Sequence, residues 1–76
     1  MANIEVKKVE ERLNHGLLFS VRVNADEGHT EFPIGIQDQG SATANEAAVL
    51  ASTLAFAEEL DAATRLRLGA ATTTHR

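Results

Sequence analysis

The segment Asp26-Glu27-Gly28-His29-Thr30-Glu31 places three carboxylates and an imidazole within six residues. Oxygen and imidazole donors of this kind hold a divalent metal when three or four converge on one point. Neither His15 nor His75 has a spacing that would bring it to His29, so the segment reads as a polar hairpin loop with no metal. Glu58, Glu59 and Asp61 offer neighbouring carboxylates, but acid–base work needs such a pair in a cleft with split pKa values. On a helix Glu58 and Glu59 project about 100° apart and read as a solvated acidic face. Gly35 and Gly40 approach a helix start, where free backbone N–H groups can hold phosphate. Their spacing matches neither a Walker loop nor a dinucleotide fingerprint, and Asp38 and Glu46 would repel an anion there. Ser20, Ser41 and Ser52 have no His and Asp arrangement around them, and the chain has no cysteine for a thiolate nucleophile or a disulfide. The expectation is a protein that is not an enzyme and carries no cofactor.

The charge is more informative than any of these groups. The net value is −4, unevenly spread. Residues 1–22 set Lys7, Lys8, Arg12 and Arg22 against Glu5, Glu10 and Glu11. Residues 23–64 carry Asp26, Glu27, Glu31, Asp38, Glu46, Glu58, Glu59 and Asp61 with no Lys or Arg, and Arg65, Arg67 and Arg76 follow. A base-free run of this length predicts a face of negative potential, which repels nucleic acid and steers toward basic surfaces. The four bases near the start are interleaved with acids, and the chain has no Trp or Tyr and only three Phe (Phe19, Phe32, Phe56) for stacking. Direct nucleic-acid binding is therefore not expected.

These side chains must be positioned by a small α+β framework. Leu17, Phe19, Val21 and Val23 alternate with more polar residues, as do Thr30, Phe32, Ile34 and Ile36, which predicts strands over 17–24 and 29–37 around a turn at 24–28. Pro33 cannot donate to a ladder, so the last strand belongs at an edge with Pro33 turned away from its neighbour. The segment 3–13 fits either a strand (Ile4, Val6) or a helical stripe (Val6, Val9, Leu13). A strand is favoured because two strands under a long helix bury too little. A bulge near Lys7-Lys8 would then gather Ile4, Val6, Val9 and Leu13 on one face. Residues 44–68 hold no Gly or Pro and predict a helix, with Thr43 and Glu46 as a capping box and Gly69 as the stop. Arg65 and Arg67 then fall in the last turn and Glu46 in the first, each on the favourable side of the macrodipole.

The expected architecture is β-β-β-α, a three-stranded antiparallel meander packed on one long C-terminal helix, in a single domain over 1–71 with a flexible tail at 72–76. The chain is 43% hydrophobic and 24% charged, as globular domains are. At 76 residues it is small enough that a partner often completes the core. The helix carries two apolar seams, Val49–Phe56–Leu60–Ala63 and Ala47–Leu50–Leu54–Ala57, together wider than three strands readily cover. Either this arc straddles a twisted sheet, or the second seam or a free strand edge makes a homodimer. No apolar run reaches the ~20 residues of a membrane span, and the first residues do not read as a signal peptide, so a cytoplasmic protein is expected.

Binding to another protein is the function class that remains. Asp26, Glu27 and Glu31 near the hairpin tip and Glu58, Glu59 and Asp61 on the helix are the candidate contacts with a basic partner surface. If that surface is a nucleic-acid groove, occupying it blocks the nucleic acid without catalysis. The hairpin over 17–36, the capped helix over 43–68 and the acidic run over 23–64 together resemble the small phage-encoded anti-CRISPR inhibitors of type I systems. That resemblance, which transfers no individual residue role, implies binding to the Cascade surveillance complex and blocking its access to target DNA. A HicB-like antitoxin module is the alternative, although the Gly-Tyr and Pro-Gly-Cys segments expected there are missing. A structural homodimeric assembly subunit is a third class.

Overall fold

The computed structural model describes residues 1–73, in the order β1 (Asn3–Arg12), a short 3-10 turn (Leu13–His15), β2 (Gly16–Ala25), β3 (Gly28–Gln37) and α1 (Ala42–Thr73). The protein is α+β with the expected β-β-β-α order, and the ambiguous first segment is a strand. β2 lies between β1 and β3, antiparallel to both. The central strand is the one with the cleanest alternation. Leu17, Phe19 and Val21 are buried from it, and Val49 of α1 closes over them. Each such side chain, fully removed from water, contributes about 1.5–3 kcal/mol. Val6, Val23, Phe32, Ile34 and Ile36 pack half-buried around this centre.

β2 and β3 are joined by the two-residue turn Asp26-Glu27, with Ala25 opposite Gly28. Counting from that turn, Pro33 falls opposite Ser20 at a position where antiparallel strands exchange no backbone hydrogen bonds, so its missing N–H breaks no rung. β1 and β2 are joined through Asn14 and His15, both in the left-handed region at φ 62° and 63°. Asn tolerates that conformation better than most residues. The His15 carbonyl accepts the Asp38 N–H at 2.8 Å, tying this turn to the exit of β3.

The register shifts between Lys8 and Glu10, so β1 carries its bulge at Val9, close to the expected place. Its consequence differs from the expectation. Lys8 stands opposite Phe19 and Glu11 opposite Leu17, so the corner facing the core is charged, with Lys8 Nζ 2.9 Å from Glu11 Oε2. Val9 is 57% exposed and Leu13 is 90% exposed, and neither joins Ile4 and Val6 on a packed face. A bulge leaves its own residue unpaired, and here that residue was an apolar one.

The helix departs from expectation at both ends. Ser41, not Thr43, is the cap: its Oγ accepts the Ala44 N–H at 3.1 Å and its carbonyl accepts the Asn45 N–H at 2.9 Å. Helix formation therefore begins at Ala42, and Glu46 lies beyond the first turn. Gly69 does not stop the helix, which continues to Thr73. A helical glycine costs about 1 kcal/mol relative to alanine, less than the good helix formers Leu68, Ala70 and Ala71 around it can offset. Arg65 and Arg67 accordingly lie before the last turn. Of the tail expected at 72–76, residues 72 and 73 are helical, and 74–76 lie outside the described residues.

Asn45 bonds to Asp38 beside the end of β3, and eleven residues later Phe56 meets Phe32 with ring centroids 5.1 Å apart and planes at 40°. The helix thus runs back along the sheet, antiparallel to β3. A 32-residue helix is about 48 Å long, whereas a ten-residue strand spans about 33 Å. From Ala57 onward every residue of α1 whose burial is described, through Ala70, is exposed. The end of the helix also outruns the strands, and the molecule measures 54 × 26 × 17 Å with a radius of gyration of 15.9 Å, against about 11 Å for a compact chain of this length.

Candidate interaction surfaces

The junction between β3 and α1 gathers a cluster of side-chain hydrogen bonds. Asp38 Oδ1 accepts the Gly40 N–H at 2.9 Å and the Asn45 side-chain N–H at 3.2 Å. Asn45 Oδ1 in turn accepts the Gln39 N–H at 2.6 Å, and Gln39 Nε2 donates to the Gln37 carbonyl at 2.8 Å. The turn needs Gly40 at φ 99°, a conformation other residues rarely adopt. The backbone N–H of Gly40, then the Asn45 amide, hold the Asp38 carboxyl below its ordinary value of 3.8. A depression of about 350 Å³ lies beside this junction, lined by Lys8, Phe19, Asp38, Ser41 and Asn45 among others. Asp38, Ser41 and Asn45 are committed to the junction and Lys8 to Glu11, so the depression is a by-product of how the helix is launched. Sequence reasoning missed Ser41 and Asn45, although a Ser followed by a run of helix formers was a legible cap signal.

The candidate chemical groups do not converge. Among the described residues no three His, Asp or Glu side chains gather where a metal would sit. His29 is exposed beside the hairpin turn opposite Asn24, and His15 lies in the other turn. Ser20 Oγ donates to Glu31 Oε2 at 2.5 Å, Ser41 caps α1, and Ser52 is half-buried on the helix. Thr53, a buried polar residue facing the sheet, donates to the Val49 carbonyl at 2.8 Å and so needs no outside partner.

The acidic residues divide into two sets. Glu31 lies on the sheet face away from α1, where Arg22 stands between it and Glu5 at 3.8 and 3.9 Å. This ladder of alternating charge across three strands largely neutralises that face. Asp26 and Glu27 form the hairpin tip. Because α1 returns antiparallel to β3, Glu58, Glu59 and Asp61 are carried toward that same end of the molecule, just past the Phe32–Phe56 contact. Asp61 is bridged by Arg65 one turn on, Nε to Oδ2 at 3.0 Å, and Asp26 lies 3.2 Å from the Met1 amino group. Both pairs are solvent-exposed and individually weak. Glu27, Glu58, Glu59 and Arg67 take part in no ion pair among the described residues.

The apolar seam Ala47–Leu50–Leu54–Ala57 is exposed along its length, with Leu54 at 60%. The first seam is split: Val49 is sealed in the core and Phe56 rests on Phe32, while Leu60, one turn further on, is 55% exposed. No helix is long and apolar enough to cross a membrane among the described residues. No protein family, curated protein or solved structure matches this chain.

Proposed function

We propose that the protein works by contact, presenting the acidic end formed by the hairpin tip and the adjacent stretch of α1 to a basic, nucleic-acid-binding protein. One observation carries this reading: Asp26, Glu27, Glu58, Glu59 and Asp61, far apart in sequence, are brought toward one end by the antiparallel return of the helix. Glu27, Glu58 and Glu59 have no internal counter-ion to surrender on binding, so their field is available to steer association. Glu31, held in the ladder with Arg22 and Ser20, is a lesser contributor.

In its most concrete form the partner is a type I CRISPR surveillance complex, and the protein acts as an anti-CRISPR-like inhibitor that occupies the groove meant for target DNA. That form rests on the resemblance in architecture and charge. The test is a gel shift of labelled target duplex by a purified surveillance complex. Added protein should abolish the shift, and the Asp26→Lys/Glu27→Lys/Glu58→Lys/Glu59→Lys variant should not. An undisturbed shift with the unaltered protein sinks the anti-CRISPR form. The wider docking reading fails if the four-fold variant, still folded by circular dichroism, retrieves the same proteins from host lysate as the unaltered chain does.

A further inference from the structure

The sheet has two free edges, β1 and β3, and their backbones differ. Counting from the Asp26-Glu27 turn, β2 directs the N–H and C=O groups of Phe19, Val21 and Val23 to β3 and those of Ser20, Arg22 and Asn24 to β1. Asn3, Glu5 and Lys7 stand opposite Asn24, Arg22 and Ser20, so the backbone groups of Ile4, Val6 and Lys8 point outward from the β1 edge. On β3 the outward positions include Glu31, Pro33 and Gly35, and Pro33 removes the donor from the middle of that edge. The β1 edge has no proline and runs unbroken until the bulge at Val9. Its apolar face is also the less covered. The helix lies against β3, which leaves Val6 half-buried and Ile4 46% exposed on the helix side of β1.

We propose that β1 pairs antiparallel with the β1 of a second copy about a two-fold axis at Val6, giving a continuous six-stranded sheet with both helices on one face. In this register Val6 meets Val6 of the second copy and Ile4 meets its Lys8, so the outward backbone groups bond to one another. Charge selects both the partner and the register. Within a chain of net charge −4, β1 holds three acids and three bases, so two β1 edges approach without net repulsion. On the face away from α1, one Arg22 serves both Glu5 and Glu31, whereas Lys7 takes part in no ion pair among the described residues. The two-fold pairing sets Glu5 opposite Lys7 of the second copy, and Lys7 opposite its Glu5. The row Glu31–Arg22–Glu5 thereby gains the cation that it lacks within one chain. Sliding the strands by two residues either way sets Glu5 against Glu5 or Lys7 against Lys7. The bulge ends the pairing just past Lys8, and the Pro33 edges become the outermost ones, which closes the assembly at two copies.

Light scattering on the full chain at ~100 μM should return twice 8.1 kDa. At that concentration the N–H groups of Ile4, Val6 and Lys8 should exchange slowly with solvent, and on dilution quickly. Those of Glu31 and Gly35, at the β3 edge, should stay fast at both. Lys7→Glu sets carboxylates opposite each other at two symmetric rungs and should weaken association by about 10-fold or more. Adding Glu5→Lys to it rebuilds both rungs at the original net charge and should restore the dimer mass. Both sites are exposed, so the chain's own core is left intact. A single-chain mass for the unaltered protein, or fast exchange at Val6 within a dimer, overturns the proposal. Failure of the charge swap to restore association overturns the register. The pairing does not rest on the acidic-docking reading: Glu58→Lys/Glu59→Lys, which should weaken docking, should leave the mass unchanged.

Discussion

The two halves of α1 have similar compositions and different physical situations. Over 42–56 the helix lies on the sheet, with Val49 fully buried, Thr53 buried with its hydroxyl turned back onto the backbone, and Phe56 stacked on Phe32. From Ala57 to Ala70 every residue is exposed, Leu60, Leu66 and Leu68 included, and the last stretch of the helix outruns the strands. Leucine at an exposed helical site supplies helix propensity and little else; valine under the sheet supplies core. Even the sheet-backed half is thinly attached. The residues it turns toward the strands include Asn45, Ala48, Ser52 and Thr53, which are small or polar. Its position is therefore set as much by the hydrogen bonds of the β3–α1 junction as by burial.

That contrast is sharpest in the effect of truncating a large side chain. Phe19→Ala should lower unfolding free energy by about 3–5 kcal/mol, because it opens a cavity under Val49. Leu66→Ala, on the overhang, should change it by no more than about 0.5 kcal/mol. Urea unfolding followed by circular dichroism measures both, and equal losses would mean that the overhang is packed in a way the single chain does not show. Next in size, Ser41→Ala should cost about 1 kcal/mol by removing the acceptor for the Ala44 N–H. Asn45→Ala, which frees the Gln39 N–H and one Asp38 contact, should cost a similar amount. Hydrogen exchange should quicken first in the residues from 42 to 49 in both variants. If it quickens equally along the whole helix, the junction is not what anchors it.

The smallest effect expected is a dependence on acid. Asp38 binds its proton less readily in the folded protein than at its ordinary value of 3.8, mainly because of the Gly40 N–H. Its contribution to stability is therefore complete above that value and fades as pH falls through the lower, folded-state value. Asp38→Asn should flatten this acid limb of the stability curve and leave stability near neutral pH almost unchanged in its pH dependence. An acid limb of the same steepness in the variant would assign it to other carboxylates.

The strands were legible because alternation of Leu17, Phe19, Val21 and Val23 has one reading as a half-buried strand, and Pro33 allowed only an edge. The bulge in β1 was legible as a need, since no straight strand reconciles Val6 with Val9. Which residue it would leave unpaired was not, because that depends on the cross-strand register with β2. The helix was legible as an element and illegible at its ends. Thr43 with Glu46 is a good capping pair in isolation, but the turn at Gly40 hands the chain to Ser41 first. The six acidic candidates were legible as a run in sequence, yet only the antiparallel return of α1 separates Glu31, neutralised on the far face, from the five at the tip end.

By itself, then, the order of residues determined a three-stranded meander followed by a long helix, a base-free acidic stretch, and more apolar helix surface than one small sheet can cover. Those properties depend on local period, propensity and charge, all of which are counted along the chain. Tertiary structure alone decided that the helix outruns its sheet, that Val49 is the one fully buried apolar side chain among its described residues, and that the hairpin tip and Glu58, Glu59 and Asp61 lie toward one end. Those depend on where a strand of about 3.3 Å per residue stops relative to a helix rising about 1.5 Å per residue, and on which way the helix departs from the junction at Asp38 and Asn45.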